Sequence, residues 1–171
     1  MHRKSRAQGS ALVLFAGIAL FNLSGCARTP TVNQTQPAAS PSSSPSPKLI
    51  TTNELAKLRW IEGTWRGTGV DQPPFYERYK FENDSTLIVE GLADETLSTV
   101  KDTSRFELKD GHFGHTEGES GSVATALDDN SITFAPVGKG NYFRFQRESD
   151  NSWKAILNWT AKDGTAKEVI Y

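Results

Sequence analysis

Turn-forming residues interrupt this chain repeatedly from Asn83 onwards, and apolar and polar residues alternate between them. The turn clusters are Asn83-Asp84-Ser85, Asp110-Gly111, Asp128-Asp129-Asn130, Gly138-Lys139-Gly140-Asn141, Ser149-Asp150-Asn151 and Asp163-Gly164. Alternation gives each strand one apolar face, and turns at this spacing join neighbouring strands as antiparallel hairpins. The pattern therefore restricts the chain to an all-β meander, either closed into a small barrel or folded as a sandwich.

The segments between the turns define the predicted elements. A short helix over 52–60 begins at capping residues and carries Leu55 and Leu58 on one face. The predicted strands follow at 64–70, 75–82, 86–92, 95–100, 103–109, 112–118, 121–127, 131–136, 141–148, 152–160 and 165–171. Because the sequence stops at Tyr171 within a strand pattern, we expect the last strand to pair beside an early one, which removes the free edges.

The N-terminal residues read as an export signal. A basic segment precedes the apolar run Ala11–Asn22, which is shorter than the roughly 20 residues that a membrane-spanning helix needs. The run ends in Leu23-Ser24-Gly25-Cys26, which resembles the lipobox of bacterial lipoproteins. The resemblance implies a signal peptide over 1–25 and a lipid anchor on Cys26. Residue 27 is Ala rather than Asp, which in a Gram-negative cell implies the outer membrane, facing the periplasm.

Composition separates a tether from a domain. Residues 27–48 contain five prolines and five serines without periodicity, so we expect 26–49 to be a disordered tether carrying the lipidated cysteine. Residues 50–171 carry 14 of the 19 basic side chains and all 20 acidic ones, a formal charge of −6. This charge argues against nucleic acid as a partner. Cys26 is the one cysteine, so the domain has no intrachain disulfide and depends on packing.

Residues 58–67 read LRWIEGTWRG, directly after the predicted helix. A short helix followed by G-x-W at the head of the first strand resembles the lipocalin-like (calycin) superfamily, including bacterial domains of unknown function. The resemblance implies a closed β-barrel over 50–171. It gives Trp60, Gly63 and Trp65 a structural role, with Trp65 closing one end of the barrel, often against an arginine from a late strand.

The inward-facing side chains of such a barrel define the candidate ligand site. They are mostly aromatic, with one carboxylate among them: Phe75, Glu77, Tyr79, Phe81, Phe143, Phe145, Trp153 and Trp159. We expect them to line a lumen that binds a small apolar or amphipathic molecule without catalysis. A barrel of about eight strands is either filled by side chains or holds one ligand, and the sequence leaves both open.

Glu77 is the polar member of this face. A carboxylate among aromatic rings needs a compensating group, and Arg144 or Arg66 could supply one. Such a pair would either orient a ligand or close the barrel as a structural contact.

His112 and His115 are the histidines of the domain, and we expect both to be exposed hairpin residues. Three residues apart on one strand, they face opposite ways and cannot share a metal ion without a bulge. His115 shares a face with Glu117, but two ligands do not complete a zinc site. The segment 63–69 is also similar to the start of the nitrobindin haem motif. No histidine follows His115 to serve as the late iron ligand, so we expect no cofactor.

Two other hypotheses stay open. A filled barrel could act as a periplasmic interaction or inhibitor module, because its negative charge would steer it towards basic partners. An enzyme would need Glu77 or the His112/His115 hairpin to converge in a cavity with perturbed pKa values, and the sequence contains no catalytic motif of the serine-hydrolase or phosphate-loop type.

Overall fold

The computed structural model describes residues 45–117, 120–138 and 140–171. Cys26, the signal segment and most of the predicted tether lie outside the described residues. A helix α1 (Thr52–Leu55) continues into a 3₁₀ helix (Ala56–Ile61). Ten strands follow: β1 (Gly63–Gly67), β2 (Phe75–Asn83), β3 (Thr86–Leu92), β4 (Val100–Lys109), β5 (His112–Glu117), β6 (Ser120–Leu127), β7 (Ser131–Gly138), β8 (Tyr142–Ser149), β9 (Ser152–Thr160) and β10 (Ala166–Ile170).

The strands form one sheet in chain order, and each strand is antiparallel to the next. The predicted all-β fold and the antiparallel meander are therefore confirmed. In the described part of the chain, the hydrogen-bonded order ends at β1 on one side and at β10 on the other, so the predicted closed barrel is not confirmed. The C-terminal residue pairs with β9, where the backbones of Tyr171 and Ala155 exchange two hydrogen bonds of 2.9 and 3.1 Å.

One predicted strand is wrong. Residues 95–100 belong mostly to the connection between β3 and β4, and β4 starts only at Val100. Asp94 Oδ1 accepts hydrogen bonds from the backbone N–H and the hydroxyl of Thr96, at 2.9 and 2.6 Å. Leu97 has a positive φ of 59°. An aspartate-closed turn followed by a left-handed residue ends the extended backbone that a strand requires.

The helical segment closes one end of the curled sheet. Thr51 and Glu54 form a capping box at its start, and Leu55, Leu58 and Ile61 are fully buried in the core. Ion pairs join the segment to two hairpin turns, from Arg59 to Asp84 at 2.9 Å and from Lys57 to Asp129 at 2.8 Å. In an antiparallel meander every second turn lies at the same end of the sheet, so the β2–β3 and β6–β7 turns share one end. The two ion pairs therefore hold the helical segment across that end of the sheet.

Aromatic side chains fill the middle of the sheet. Five phenylalanines from β4, β5, β7 and β8 are buried and in mutual ring contact: Phe106, Phe113, Phe134, Phe143 and Phe145. The rings of Phe134 and Phe143 are stacked, with centroids 4.5 Å apart. This part of the interior is therefore packed with side chains.

Within the described ranges, no helix is long and apolar enough to cross a membrane.

Candidate functional site

A cavity of about 540 Å³ lies between the first strands and the last ones, where the sheet is not closed by backbone pairing. Its walls come from β1, the β1–β2 loop, the start of β2, the β8–β9 hairpin and the C-terminus. The wall residues that bear on its chemistry are Trp65, Phe75, Glu77, Trp153 and Tyr171, with Arg66, Glu148 and Lys154 in addition. The cavity therefore combines an aromatic surface with a small number of charged groups.

Glycines shape the first wall. Gly63, at the head of β1, has a φ of +142°, which L-residues rarely adopt, and it turns the chain from the 3₁₀ helix into the strand. At Gly67 a Cβ would lie 2.1 Å from the ring of Phe75, so a side chain there would require the ring or the strand to move. Gly67 therefore permits Phe75 to lie across β1.

The aromatic walls consist of rings set at right angles. Trp65 meets Trp153 edge to face, with centroids 6.0 Å apart and planes at 88°. Phe75 meets Tyr171 in the same way, at 5.6 Å and 83°. Trp65 Nε1 donates a hydrogen bond of 2.7 Å to the carbonyl oxygen of Ile61, so the polar group of this half-buried indole has a partner. The residue of a late strand that contacts Trp65 in this way is Trp153, where the sequence analysis had an arginine in view.

Trp153 connects the cavity to the packed core. Its indole also lies edge to face with Tyr79 at 5.3 Å, with Phe145 at 5.2 Å and with Trp60 at 6.4 Å. The cavity wall is thus supported from behind by the core rings, which restricts its movement.

Glu77 is the buried polar group of the cavity, with 5% of its surface exposed. The Tyr79 hydroxyl donates a hydrogen bond of 2.7 Å to Glu77 Oε2. Burial raises the pKa of Glu77, the hydrogen bond from Tyr79 opposes this rise, and the charge of Asp102 adds to it. Burial likewise raises the pKa of the Tyr79 hydroxyl. Of the two cations that the sequence offered for Glu77, Arg144 is not its partner, because the Arg144 guanidinium donates to Ser131 Oγ at 3.1 Å.

A second carboxylate lies close to Glu77. The register places Glu77 opposite Gly91 and Gly91 opposite Asp102, so all three face inward in one row. A Cβ on Gly91 would be 2.5 Å from Asp102 Oδ1, so the carboxylate lies directly over this glycine. Asp102 was not among the predicted site residues. A glycine inside a strand often marks a close approach of another group, so Gly91 in the run TLIVEGL was the signal that could have pointed to it.

The charges at the outer side of the cavity partly compensate each other. Lys154 Nζ lies 2.5 Å from Glu148 Oε1. The hydrogen bond from Lys154 is the main cause that lowers the pKa of Glu148, assisted by Ser152. Arg66 lines the same cavity from an exposed position on β1. Of the two cations proposed for Glu77, Arg66 is therefore the one that borders its cavity.

No family model, curated protein or solved structure matches the chain.

The predicted ligand residues divide into two groups. Phe75, Glu77 and Trp153 line the cavity, and Tyr171 joins them although the sequence analysis placed it only in the last strand. The others belong to the packed interior: Tyr79, Phe143 and Phe145 are buried in the core, while Phe81 and Trp159 are half-buried against it. Arg59 lies over the Phe81 ring, 4.7 Å from its centroid, at the closed end. A contact of any of these residues with a ligand stays a prediction.

The two histidines differ in exposure. His112 is exposed as predicted, but the prediction for His115 is wrong, because only 8% of its surface is accessible. Its ring packs on Phe106 at 5.4 Å, and its Nδ1 lies 2.9 Å from the carbonyl oxygen of Arg105. Because a carbonyl oxygen only accepts, Nδ1 carries the proton. The described residues contain no group of three or more metal-ligating side chains placed to hold an ion.

Proposed function

We propose that the protein is a lipid-anchored lipoprotein of the cell envelope whose β domain binds a small apolar or amphipathic molecule without catalysis. The cavity beside Trp65 and Trp153 is the observation that carries the proposal. Its volume of about 540 Å³ falls within the range of about 300–1,000 Å³ that is usual for small-molecule sites. Aromatic walls with few charged groups suit a ligand that is largely apolar.

A lipocalin-like architecture is part of this proposal. The contact of Phe75 with Tyr171 and the hydrogen bond of 3.4 Å from Gln72 Nε2 to the Tyr171 hydroxyl join the start of β2 to the C-terminus. These contacts support a sheet that closes through side chains rather than through a further backbone ladder. A cavity beside the side-chain contacts that join the first and last strands gives a ligand a path from solvent to the interior.

The anchor rests on Leu23-Ser24-Gly25-Cys26. Two or more acyl chains on one residue hold a protein on a membrane far more firmly than a single chain. Mass spectrometry of the N-terminal peptide should find Cys26 as the first residue, with a diacylglyceryl group on its sulfur. The Cys26→Ser variant should lack this mass and leave the membrane fraction. An unmodified peptide that begins before Cys26 would contradict the anchor.

Native mass spectrometry tests ligand binding. The protein for this test is the chain 26–171 with Cys26→Ser, exported behind a cleavable signal peptide in its own host, because it contains every described strand and helix. We expect a bound small molecule that is lost on denaturation. Phe75→Ala, which removes part of a cavity wall, should reduce the bound fraction. Val137→Ala, at an exposed position away from the cavity, should not.

A protein with no bound molecule, together with no binding of added apolar compounds, would contradict the proposal. That result would favour the interaction module that the formal charge of −6 suggests for residues 50–171. Capture of basic envelope proteins by the same chain would then be the next measurement.

A further inference from the structure

The cavity offers a cation two kinds of partner. Its walls are aromatic rings at right angles, with Trp65 against Trp153 and Phe75 against Tyr171. Perpendicular rings that surround a space recognise ammonium groups through the negative potential of the ring faces. Glu77 supplies a carboxylate at the inner end of the same space.

We propose that the ligand carries an ammonium group that sits between these aromatic walls with Glu77 as its counter-charge. This inference rests on the proposed binding function and specifies the chemistry of the ligand. An amphipathic amine or quaternary ammonium compound fits it, with its apolar part along the aromatic walls.

The charges around Glu77 favour a cation over an anion. Asp102 lies in the same inward row, one strand beyond Gly91, so a second carboxylate acts on Glu77, opposed by the charge of the exposed Lys101. Lys154 is already paired with Glu148, which leaves its charge compensated. The formal charge of −6 on residues 50–171 also raises the local concentration of cations. An anionic head group would meet Glu77 without a buried cation beside it.

Glu77 is a suitable counter-charge because its position is fixed. The Tyr79 hydroxyl donates to Oε2 at 2.7 Å and leaves the other carboxylate oxygen for a ligand. Bound cation and buried carboxylate would each lower the cost of burying the other. An ammonium group therefore gains more from this site than a neutral group of the same size.

Calorimetric titration with three probes of equal chain length tests the inference. The probes are hexyltrimethylammonium, 1-hexanol and hexanoate, and the protein is the chain 26–171 with Cys26→Ser at neutral pH. We expect the ammonium probe to bind about tenfold more tightly than the alcohol, and hexanoate to bind more weakly than both. Glu77→Gln should lower the affinity for the ammonium probe about tenfold and leave that for 1-hexanol unchanged.

Glu77→Gln keeps an oxygen that accepts the Tyr79 hydrogen bond, so the fold should persist, and its far-ultraviolet circular dichroism should match the unsubstituted chain. Glu95→Gln removes one negative charge from an exposed position outside the cavity lining and should change each affinity less than about twofold. Asp102→Asn is the second variant, with an expected loss of about threefold for the ammonium probe alone.

The failures of the two proposals are distinguishable. Equal affinities for the ammonium probe and 1-hexanol, unaffected by Glu77→Gln, would overturn the cation preference and leave the proposed binding function intact. Tighter binding of hexanoate would also overturn it and would assign the charged group to Arg66. Absence of binding for all three probes at millimolar concentration would overturn both proposals.

Discussion

The indole ring of Trp65 on β1 lies edge to face with the indole ring of Trp153 on β9, with centroids 6.0 Å apart. The two strands stand near opposite ends of the sheet order, and no backbone ladder in the described residues joins β1 to β9 or β10. Side-chain packing therefore holds the two ends of the sheet together. The same contact forms one wall of the cavity, so stability and binding depend on the same rings.

Truncation of Trp65 should destabilise the domain strongly. Trp65→Ala removes the contact with Trp153 and the hydrogen bond to Ile61, and it leaves a void beside the cavity. We expect the free energy of unfolding to fall by about 3–5 kcal/mol, measured by urea denaturation. Val70→Ala, at a side chain that is 85% exposed, is the control and should change it by less than about 0.5 kcal/mol. Equal stability of the two variants would show that Trp65 does not hold β1 against β9.

Glu77 should make the domain less stable as pH rises. Burial raises its pKa, helped by Asp102 and opposed by Tyr79 and by the charge of Lys101. Between about 4.5 and the raised pKa, the folded state binds more protons than the unfolded state, so the contribution of Glu77 is lost as pH rises through that window. The stability of Glu77→Gln relative to the unsubstituted protein should therefore increase with pH above about 4.5.

Glu82, on the same strand, is the control for this prediction, because its pKa is shifted in the opposite direction. A hydrogen bond from Arg105, 2.8 Å long, lowers the pKa of Glu82. Its contribution is present above the unfolded pKa and is lost as pH falls, so Glu82→Gln should lose stability relative to the unsubstituted protein as pH rises. Urea denaturation at a series of pH values measures both variants. Slopes of the same sign would contradict the assignment of Glu77 as a buried carboxylate.

The strands could be predicted where alternation is regular. In Ser152–Thr160 the apolar face of Ala155 and Leu157 is buried, as the alternation predicts. The same rule would have placed His115 inside, because it shares a face with Phe113, but its polarity favoured an exposed assignment. The strand predicted over 95–100 does not form, because the turn that Asp94 closes with Thr96 overrides the β preference of the segment.

The cavity could be predicted only in part. Phe75, Glu77 and Trp153 follow from the inward face, but the contact between Phe75 and Tyr171 joins residues far apart in the chain. This contact forms only if the twists of all the strands together bring the first and last strands close to each other. The residues of a single strand do not predict that total twist. Closure into a barrel was predicted from the one-sided strands and from the lipocalin resemblance, but the hydrogen-bonded order leaves β1 and β10 unpaired with each other.

Glu54 should contribute stability that is lost in acid. Hydrogen bonds from Lys48, from the Thr51 backbone N–H and from the Thr51 hydroxyl lower its pKa to about 2. The unfolded chain takes up the proton near its ordinary pKa of 4.5, so the contribution of Glu54 is complete above that pH and disappears as pH falls towards 2. The stability difference between the unsubstituted protein and Glu54→Gln should therefore shrink over this window.

Thermal unfolding followed by circular dichroism between pH 2 and 7 measures this difference. Glu95→Gln removes one negative charge from an exposed position in the β3–β4 connection and serves as the control for net charge. A difference for Glu54→Gln that stays constant over the whole range would show that the capping box does not depend on an ionised Glu54.

Gly67→Ala should distort the cavity through Phe75. The added Cβ would lie 2.1 Å from Phe75 Cζ, so the ring must move or β1 must shift away from β2. We expect a loss of about 1–3 kcal/mol in the free energy of unfolding, which is typical of an overpacked site. The smaller side chain in Phe75→Leu should relieve the clash, so the double variant should lose less than the sum of the two single variants. Urea denaturation of all four proteins gives this coupling energy. A coupling near zero would mean that the ring of Phe75 does not lie across Gly67, and the first wall of the cavity would then be wrong.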